Sequence, residues 1–102
     1  MTTRVLLVDD HELLRAGLRS RLEKEPGIEV VGEADSAERA VVLARTLQPD
    51  LVLLDLLLPR RNGFEAIPEI LQVAPDARVV VDEQDSRRHF DSPKARSARV
   101  PP

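Results

Sequence analysis

The chain has 102 residues, which is enough for one small domain with a single hydrophobic core. Apolar residues make up 42% of it but only two are aromatic, so the core is expected to be aliphatic. A formal net charge of -3 gives no general case for nucleic-acid binding, and the lack of cysteine excludes disulfides and thiolate metal sites. No apolar run approaches the length of a membrane span or of a signal peptide's core, so we expect a soluble, cytoplasmic protein.

Four short apolar runs predict β-strands, and the amphipathic segments between them predict helices. The strands are expected at about residues 4–8, 29–34, 51–54 and 78–81. The first helix is expected at about residues 12–24, because Pro26 and Gly27 end it. Its apolar positions recur at helical spacing: Leu14, Gly17, Leu18 and Leu22.

Capping residues and turn residues predict two further helices. Asp35 or Ser36 is expected to cap the second helix, which carries an apolar stripe of Ala37, Ala40, Val41 and Ala44. Asn62 and Gly63 mark a turn before the third helix. Pro68 conflicts with that helix, because an interior proline costs about 3 kcal/mol. We therefore expect the third helix either to begin late or to be kinked at Pro68.

Apolar strands that alternate with helices predict a parallel sheet with helices on both faces. We expect an α/β, flavodoxin-like doubly wound sheet that is incomplete, with about four strands and three helices. In this order the first strand lies between the second and third, so the switch point falls between the first and third strands. Ligands of such folds bind there, beyond the carboxyl ends of the strands.

Carboxylates stand at the carboxyl ends of the two strands that flank this switch point. Asp9 and Asp10 directly follow the first strand. Asp55 interrupts the apolar run 51–58 just before Pro59. A lone charge in such a run is costly unless it reaches water or a cation. The three aspartates are therefore expected to converge as an oxygen-rich site for a hard cation, beside a nucleophilic carboxylate.

Magnesium is the expected ion, because it prefers an octahedron of oxygen ligands and retains several waters. Asp10 and Asp55 suit direct coordination, and Asp9 acts directly or through water. A backbone carbonyl just past Asp55, such as that of Leu57, can complete the set of ligands that the protein provides to the ion. Aspartates that follow strands also form turns and cap helices, so a structural role for Asp9 and Asp10 stays open.

Two motifs stand out: VDDHELLRAGL at residues 8–18, and PDLVLLDL at residues 49–56, with Pro59 and Gly63 after it. Over about residues 4–81 the chain resembles the receiver domain of bacterial two-component response regulators. The first motif is similar to the opening of NarL/FixJ-type regulators, and the second to the family's third strand and phosphorylation site.

The resemblance implies a role for each matching residue. Asp55 would accept phosphate from a sensor histidine kinase, and Asp10 would ligate Mg²⁺, with Asp9 assisting and Leu57 offering its carbonyl. The domain would be a phosphoacceptor rather than an enzyme. His11 matches the subfamily signature but is expected to be a solvent-facing loop residue.

After the fourth strand the sequence departs from this family. The Ser or Thr that receivers carry there falls near Glu83, and neither Lys24 nor Lys94 suits the lysine that follows a fifth strand. We therefore expect residues 3–81 to form a partial receiver domain, truncated after the fourth strand, and residues 82–102 to form a disordered tail. Phosphorylation should be weaker than in an intact receiver, and we expect no DNA-binding domain in this chain.

Three other functions compete with this interpretation. A pseudo-receiver or inactive fragment would act only through protein contact, and an uncovered fourth strand would favour self-association through the sheet edge. A phosphohydrolase is disfavoured, because Leu57 stands where a second acid is wanted. Solvated disorder is favoured over nucleic-acid binding for the basic residues of the tail: Arg87, Arg88, Lys94, Arg96 and Arg99.

Overall fold

The computed structural model describes residues 1–55 and 63–82. In chain order these residues form β1 (Thr3–Val8), α1 (Glu12–Glu23), β2 (Ile28–Ala34), α2 (Ala37–Leu47), β3 (Leu51–Asp55), α3 (Gly63–Val73) and β4 (Arg78–Asp82). All predicted strands and helices are present, and the predicted strand ends differ from the observed ones by no more than one residue. Asp82, predicted to begin the tail, is instead the last residue of β4, where it pairs with Asp55 of β3. The rest of the predicted tail, residues 83–102, and the expected ligand Leu57 lie outside the described residues.

The four strands form one parallel sheet in the order β2-β1-β3-β4. This order confirms the flavodoxin-like topology, since β1 lies between β2 and β3. In the register of β1 and β3, Val8 is opposite Leu54. The residues that follow, Asp9 and Asp55, therefore lie side by side at the carboxyl edge of the sheet.

Local hydrogen bonds define the ends of α2, and a glycine allows the turn before β2. Ser36 is the N-cap of α2, and its hydroxyl accepts a hydrogen bond from the Arg39 amide at 3.1 Å. Gln48 ends α2 in a left-handed conformation with φ 48°, and its side-chain amide donates to the Ala44 carbonyl. Gly27 has φ +85° in the turn after α1, a conformation that side-chain-bearing residues rarely adopt.

Helix α3 contains Pro68 and nevertheless begins at Gly63, so the expectation of a late start is wrong. The proline is exposed, whereas Ile67 and Ile70 of the same helix are buried in the core. Burying two isoleucines is worth about 3–6 kcal/mol, which is at least as large as the cost of about 3 kcal/mol for an interior proline. Packing therefore outweighs the local propensity at this position.

The two faces of the sheet are covered to different extents. Helices α2 and α3 cover one side, here called the closed face, where Leu6, Val52 and Leu54 are completely buried. Helix α1 alone covers the other side within the described residues, here called the open face. No residue of α1 is fully buried, and Leu14, predicted to lie on its apolar stripe, is 49% exposed.

None of the helices within residues 1–55 and 63–82 combines the length and the hydropathy that a membrane crossing requires.

Candidate phosphoacceptor and metal site

The site is built where β1 and β3 end. Asp55 is the last residue of β3, and Asp9 directly follows β1. Both side chains are buried, with exposed fractions of 2% and 3%. Residues alternate between the faces of a strand, so Asp55 shares the open face with Leu53. The fold thus sets two buried carboxylates at one edge of the sheet.

Four polar side chains meet at this edge. One possible ligand atom from each of Asp9, Asp10, His11 and Asp55 can be chosen so that all four lie within 4.8 Å of one another. Asp10 and His11 are exposed, so the group has a buried floor and a rim in contact with water. The structure therefore brings together the three aspartates that the sequence singled out.

The cluster also performs a structural task. One carboxylate oxygen of Asp9 accepts a hydrogen bond from the His11 amide at 2.8 Å, which closes the turn between β1 and α1. His11 is the N-cap of α1, and its side chain makes no capping hydrogen bond. Asp9 is thus a turn former as well as a member of the acidic group, so the two interpretations of this residue are compatible.

His11 lies closer to the acids than the sequence indicated. Its Nδ1 atom is 3.2 Å from an Asp10 oxygen and 3.4 Å from an Asp9 oxygen, while its side chain is 54% exposed. The imidazole is solvent-facing, as predicted, but it also borders the carboxylates. Only its position next to Asp10 in the sequence could have signalled this contact.

The donor set fits magnesium. Oxygen ligands at about 2.1 Å from the ion lie within about 4.2 Å of one another in an octahedron, close to the spacing of this group. Three carboxylates supply the hard oxygen atoms that Mg²⁺ prefers, and the exposed rim leaves room for its waters. The imidazole nitrogen of His11 is a poorer ligand for this ion.

Two arginines of α1 and an acid of β2 lie beside the cluster, and no sequence pattern indicated a role for them. Arg15 donates from Nη1 to the Asp9 carbonyl at 2.5 Å and from Nε to Glu33 at 2.8 Å. Arg19 pairs with the other oxygen of Glu33. Burial alone would raise the pKa of Glu33, but the hydrogen bonds from Arg15 and Arg19 outweigh it and lower that pKa.

A small pocket lies on the open face next to the acids. Its charged lining consists of Asp9, Asp55 and Arg15. The rest of its wall is apolar and comes from Leu7, Val8, Leu18 and Leu53. Arg15 appears in the first motif of the sequence, but its contact with Glu33 spans 18 residues and depends on how α1 packs on the sheet.

Comparison with known proteins gives a consistent result. The sequence model of the family described as response regulator receiver domain matches residues 5–89. The chain is 43% identical over 77 residues to the nitrate/nitrite response regulator protein NarL of Escherichia coli K12, covering 76% of this chain and 36% of NarL. The chain thus spans well under half the length of that curated relative.

Solved structures show the same fold. A two-component response regulator of the LuxR family from Aurantimonas sp. SI85-9A1 superimposes with a TM-score of 0.75 at 43% identity, covering 79% of this chain and 58% of the other. A response regulator from Burkholderia pseudomallei superimposes with a TM-score of 0.68 at 26% identity, covering 78% and 45%. That second structure contains a phosphorylated aspartic acid and a calcium ion.

Proposed function

Because the chain belongs to the response regulator receiver domain family, we propose that it is a phosphoacceptor module that takes a phosphoryl group on Asp55. The observation that carries the proposal is the convergence of Asp9, Asp10 and Asp55, whose oxygens lie within 4.8 Å at the carboxyl edge of the sheet. The similarity to NarL and to a LuxR-family regulator agrees with the NarL/FixJ-type motif at residues 8–18. The phosphorylated aspartate and calcium ion of the Burkholderia relative support the same chemistry.

The reaction is a phosphoryl transfer to a carboxylate. An Asp55 oxygen attacks phosphorus, the bond from phosphorus to the donor breaks, and the bonding electrons leave with the donor. The product is an acyl phosphate on Asp55. With a phosphohistidine donor the phosphorus–nitrogen bond breaks and the imidazole is released, and with acetyl phosphate the phosphorus–oxygen bond breaks and acetate is released.

Each residue of the site has a part in this proposal. Asp10 and Asp55 hold Mg²⁺ directly, Asp9 holds it directly or through water while closing its turn, and the Leu57 carbonyl contributes from outside the described residues. When bound, Mg²⁺ supplies positive charge that offsets the crowded carboxylates and the incoming phosphoryl oxygens. The buried position of Asp55 excludes most water, and the exposed rim at Asp10 admits the donor.

The cellular setting follows from this chemistry. We propose a sensor histidine kinase as the donor, a cytoplasmic location where kinase and receiver meet, and no turnover of a separate substrate. The phosphoryl group stays on the protein as a signal, so the module is a phosphoacceptor rather than an enzyme.

A second proposal concerns self-association, with another copy of this chain as the partner. Within the described residues β4 hydrogen-bonds to β3 on one side only, so its other edge is open at the end of the sheet. Val80 of β4 is 40% exposed on the open face. An open strand edge with exposed apolar side chains favours pairing with another strand. We propose that two copies of the chain associate through β4.

Intact-mass measurement tests the phosphoacceptor proposal. The chain is incubated with acetyl phosphate, with Mg²⁺ or with EDTA, as wild type, as Asp55→Asn and as Asp35→Asn. Asp35 is a matched control, since it is an exposed acid that directly follows β2 at the same edge of the sheet.

Wild type and Asp35→Asn should gain one phosphoryl group slowly and only with Mg²⁺, and Asp55→Asn should gain none. Equal labelling of Asp55→Asn would move the acceptor to another residue. No labelling of wild type would favour a pseudo-receiver that acts only by protein contact.

A further inference from the structure

Arg15 is a cation in the wall of the pocket that contains Asp55. The pocket also borders Asp9, and among its lining residues that the structure describes Arg15 carries the one positive charge. The arginine side chain is 16% exposed, so it is held against the protein rather than extended into water. Two hydrogen bonds fix it there, one to the Asp9 carbonyl and one to Glu33.

The guanidinium retains unused donors. Arginine has five N–H groups, and Arg15 uses one on Nε and one on Nη1. Within residues 1–55 and 63–82 the remaining donors have no protein acceptor. A guanidinium held rigidly with free N–H groups is well suited to phosphoryl oxygens, because charge-assisted hydrogen bonds of this type are strong.

Glu33 has a second cationic partner besides Arg15. Arg19 pairs with the second oxygen of Glu33 and with Glu23, and Arg19 does not line the pocket. Glu33 is therefore an anchor that orients Arg15, and Arg19 shares in neutralising it. If Arg15 served only to neutralise Glu33, a second cation on the same carboxylate would be redundant.

We infer that Arg15 supplies positive charge to the phosphoryl group on Asp55 from the open-face side of the site. The inference rests on the proposed function and adds a specific residue to it. Phosphorylation adds between one and two negative charges to a position already crowded by Asp9 and Asp10. Arg15 lies on α1 and lines the same pocket as Asp9 and Asp55, so its positive charge is close to the position where that negative charge is added.

The experiment uses the whole 102-residue chain with Arg15→Gln, Arg15→Lys and the control Arg19→Gln. Two quantities are measured for each variant: the initial rate of Asp55 labelling by acetyl phosphate with Mg²⁺, and the dissociation constant of Mg²⁺ without phosphate donor. Circular dichroism confirms that each variant is folded.

Arg15→Gln should slow labelling by about tenfold or more, because a positioned charged donor is lost. It should also tighten Mg²⁺ binding by about two- to fivefold, because a positive charge no longer repels the ion. Arg15→Lys should recover a substantial part of the labelling rate, and Arg19→Gln should leave both quantities unchanged. These opposite signs distinguish a charge effect from a structural one, since a disordered site would lose labelling and magnesium together.

The outcomes separate the two proposals. Wild type that cannot be labelled overturns the proposed function and this inference with it. Labelled wild type matched in rate by Arg15→Gln overturns the inference alone. Weaker Mg²⁺ binding in Arg15→Gln also overturns it. If Arg15→Gln does not fold, Arg15→Lys decides the question: a labelling rate as low as that of Asp55→Asn would overturn the role of the charge.

Discussion

The closed face and the open face of the sheet differ in what they contribute. On the closed face, β-strand side chains meet small alanines of α2 and branched residues of α3, and the strand residues Leu6, Val52 and Leu54 have no exposed surface. On the open face Val5 and Leu7 of the central strand are also buried, but Leu51 and Leu53 of β3 are only partly buried, and Val80 is 40% exposed. The pocket and the buried carboxylate of Asp55 belong to the open face.

This contrast separates stability from function within a small domain. Close packing on one side holds the strands in register, and the register places Asp9 beside Asp55. The looser side leaves room for charged groups, such as Arg15 and Glu33, that would be costly in a tight apolar core. Changes to the closed face should therefore affect folding first, and changes to the open face should affect the site or association first.

The largest expected effect is the loss of stability caused by a cavity on the closed face. Leu54→Ala should lower the free energy of unfolding by about 2–5 kcal/mol, because it leaves a cavity in a fully packed core. Leu53→Ala, one residue earlier on the open face, should cost less than half as much, because its side chain is only partly buried. Urea unfolding followed by circular dichroism measures both. Equal losses for the two variants would show that the faces do not differ in packing.

The second prediction tests the acidic edge. Asp10→Asn should weaken Mg²⁺ binding by about tenfold or more, because a charged oxygen ligand is lost at the exposed rim. In wild type, Mg²⁺ at a hundred times its dissociation constant should add about 2.7 kcal/mol to stability. Thermal melts with and without Mg²⁺ measure this gain. Asp35→Asn should keep the gain, and a full gain in Asp10→Asn would remove Asp10 from the ligand set.

The third prediction concerns association through β4. Val80→Lys should shift the chain from a concentration-dependent dimer to a monomer, because a charge at an exposed strand edge opposes pairing. Val42→Lys is the control, since Val42 is also an exposed valine, at 52%, but lies on α2. Light scattering after size exclusion measures the mass over a range of concentrations. A wild type that is monomeric at all concentrations, with a sharp thermal transition, would refute association.

The smallest expected effect comes from Glu33. The pKa of Glu33 is lowered in the folded state from an ordinary value of 4.5. The ionised carboxylate therefore stabilises the fold fully above that value, and this stabilisation is lost as pH falls through the folded-state pKa. Glu33→Gln should therefore cost on the order of 0.5–1 kcal/mol at neutral pH, a typical value for a partly exposed ion pair. The difference from wild type should shrink in acid. Urea midpoints at neutral and acidic pH check this, and a constant difference would exclude ionisation as the cause.

Local patterns were enough to predict most of the fold. Apolar runs and turn residues gave the strands, and the charge of Asp55 before Pro59 indicated the end of β3. Alternation of strands and helices then restricted the topology, and the topology brought Asp9 and Asp10 towards Asp55. Each step depends on residues close in sequence or on a general rule of connection, so no tertiary detail was needed.

Other features could not be read from the sequence because they depend on packing between distant segments. The contact of Arg15 with Glu33 depends on which side of α1 faces the sheet. The spacing of apolar residues does not fix that orientation accurately enough to predict the contact. The exposure of Leu14 has the same origin. Pro68 led to the expectation of either a late start or a kink in α3, and the late start is wrong because the burial of Ile67 and Ile70 offsets the local cost.

One measurement tests the central claim directly, which is that Asp9, Asp10 and Asp55 form a single cation site at the edge of the sheet. Mn²⁺ replaces Mg²⁺ in a titration followed by nuclear magnetic resonance, where it broadens the signals of nearby amides. The amides of Asp9, Asp10 and Asp55 should broaden together at one affinity, while those of Arg45 and Thr46, at the end of α2 and at the opposite edge of the sheet, stay sharp. Asp10→Asn should weaken all three responses. Broadening of Asp10 without Asp55, or with a different affinity, would contradict the account.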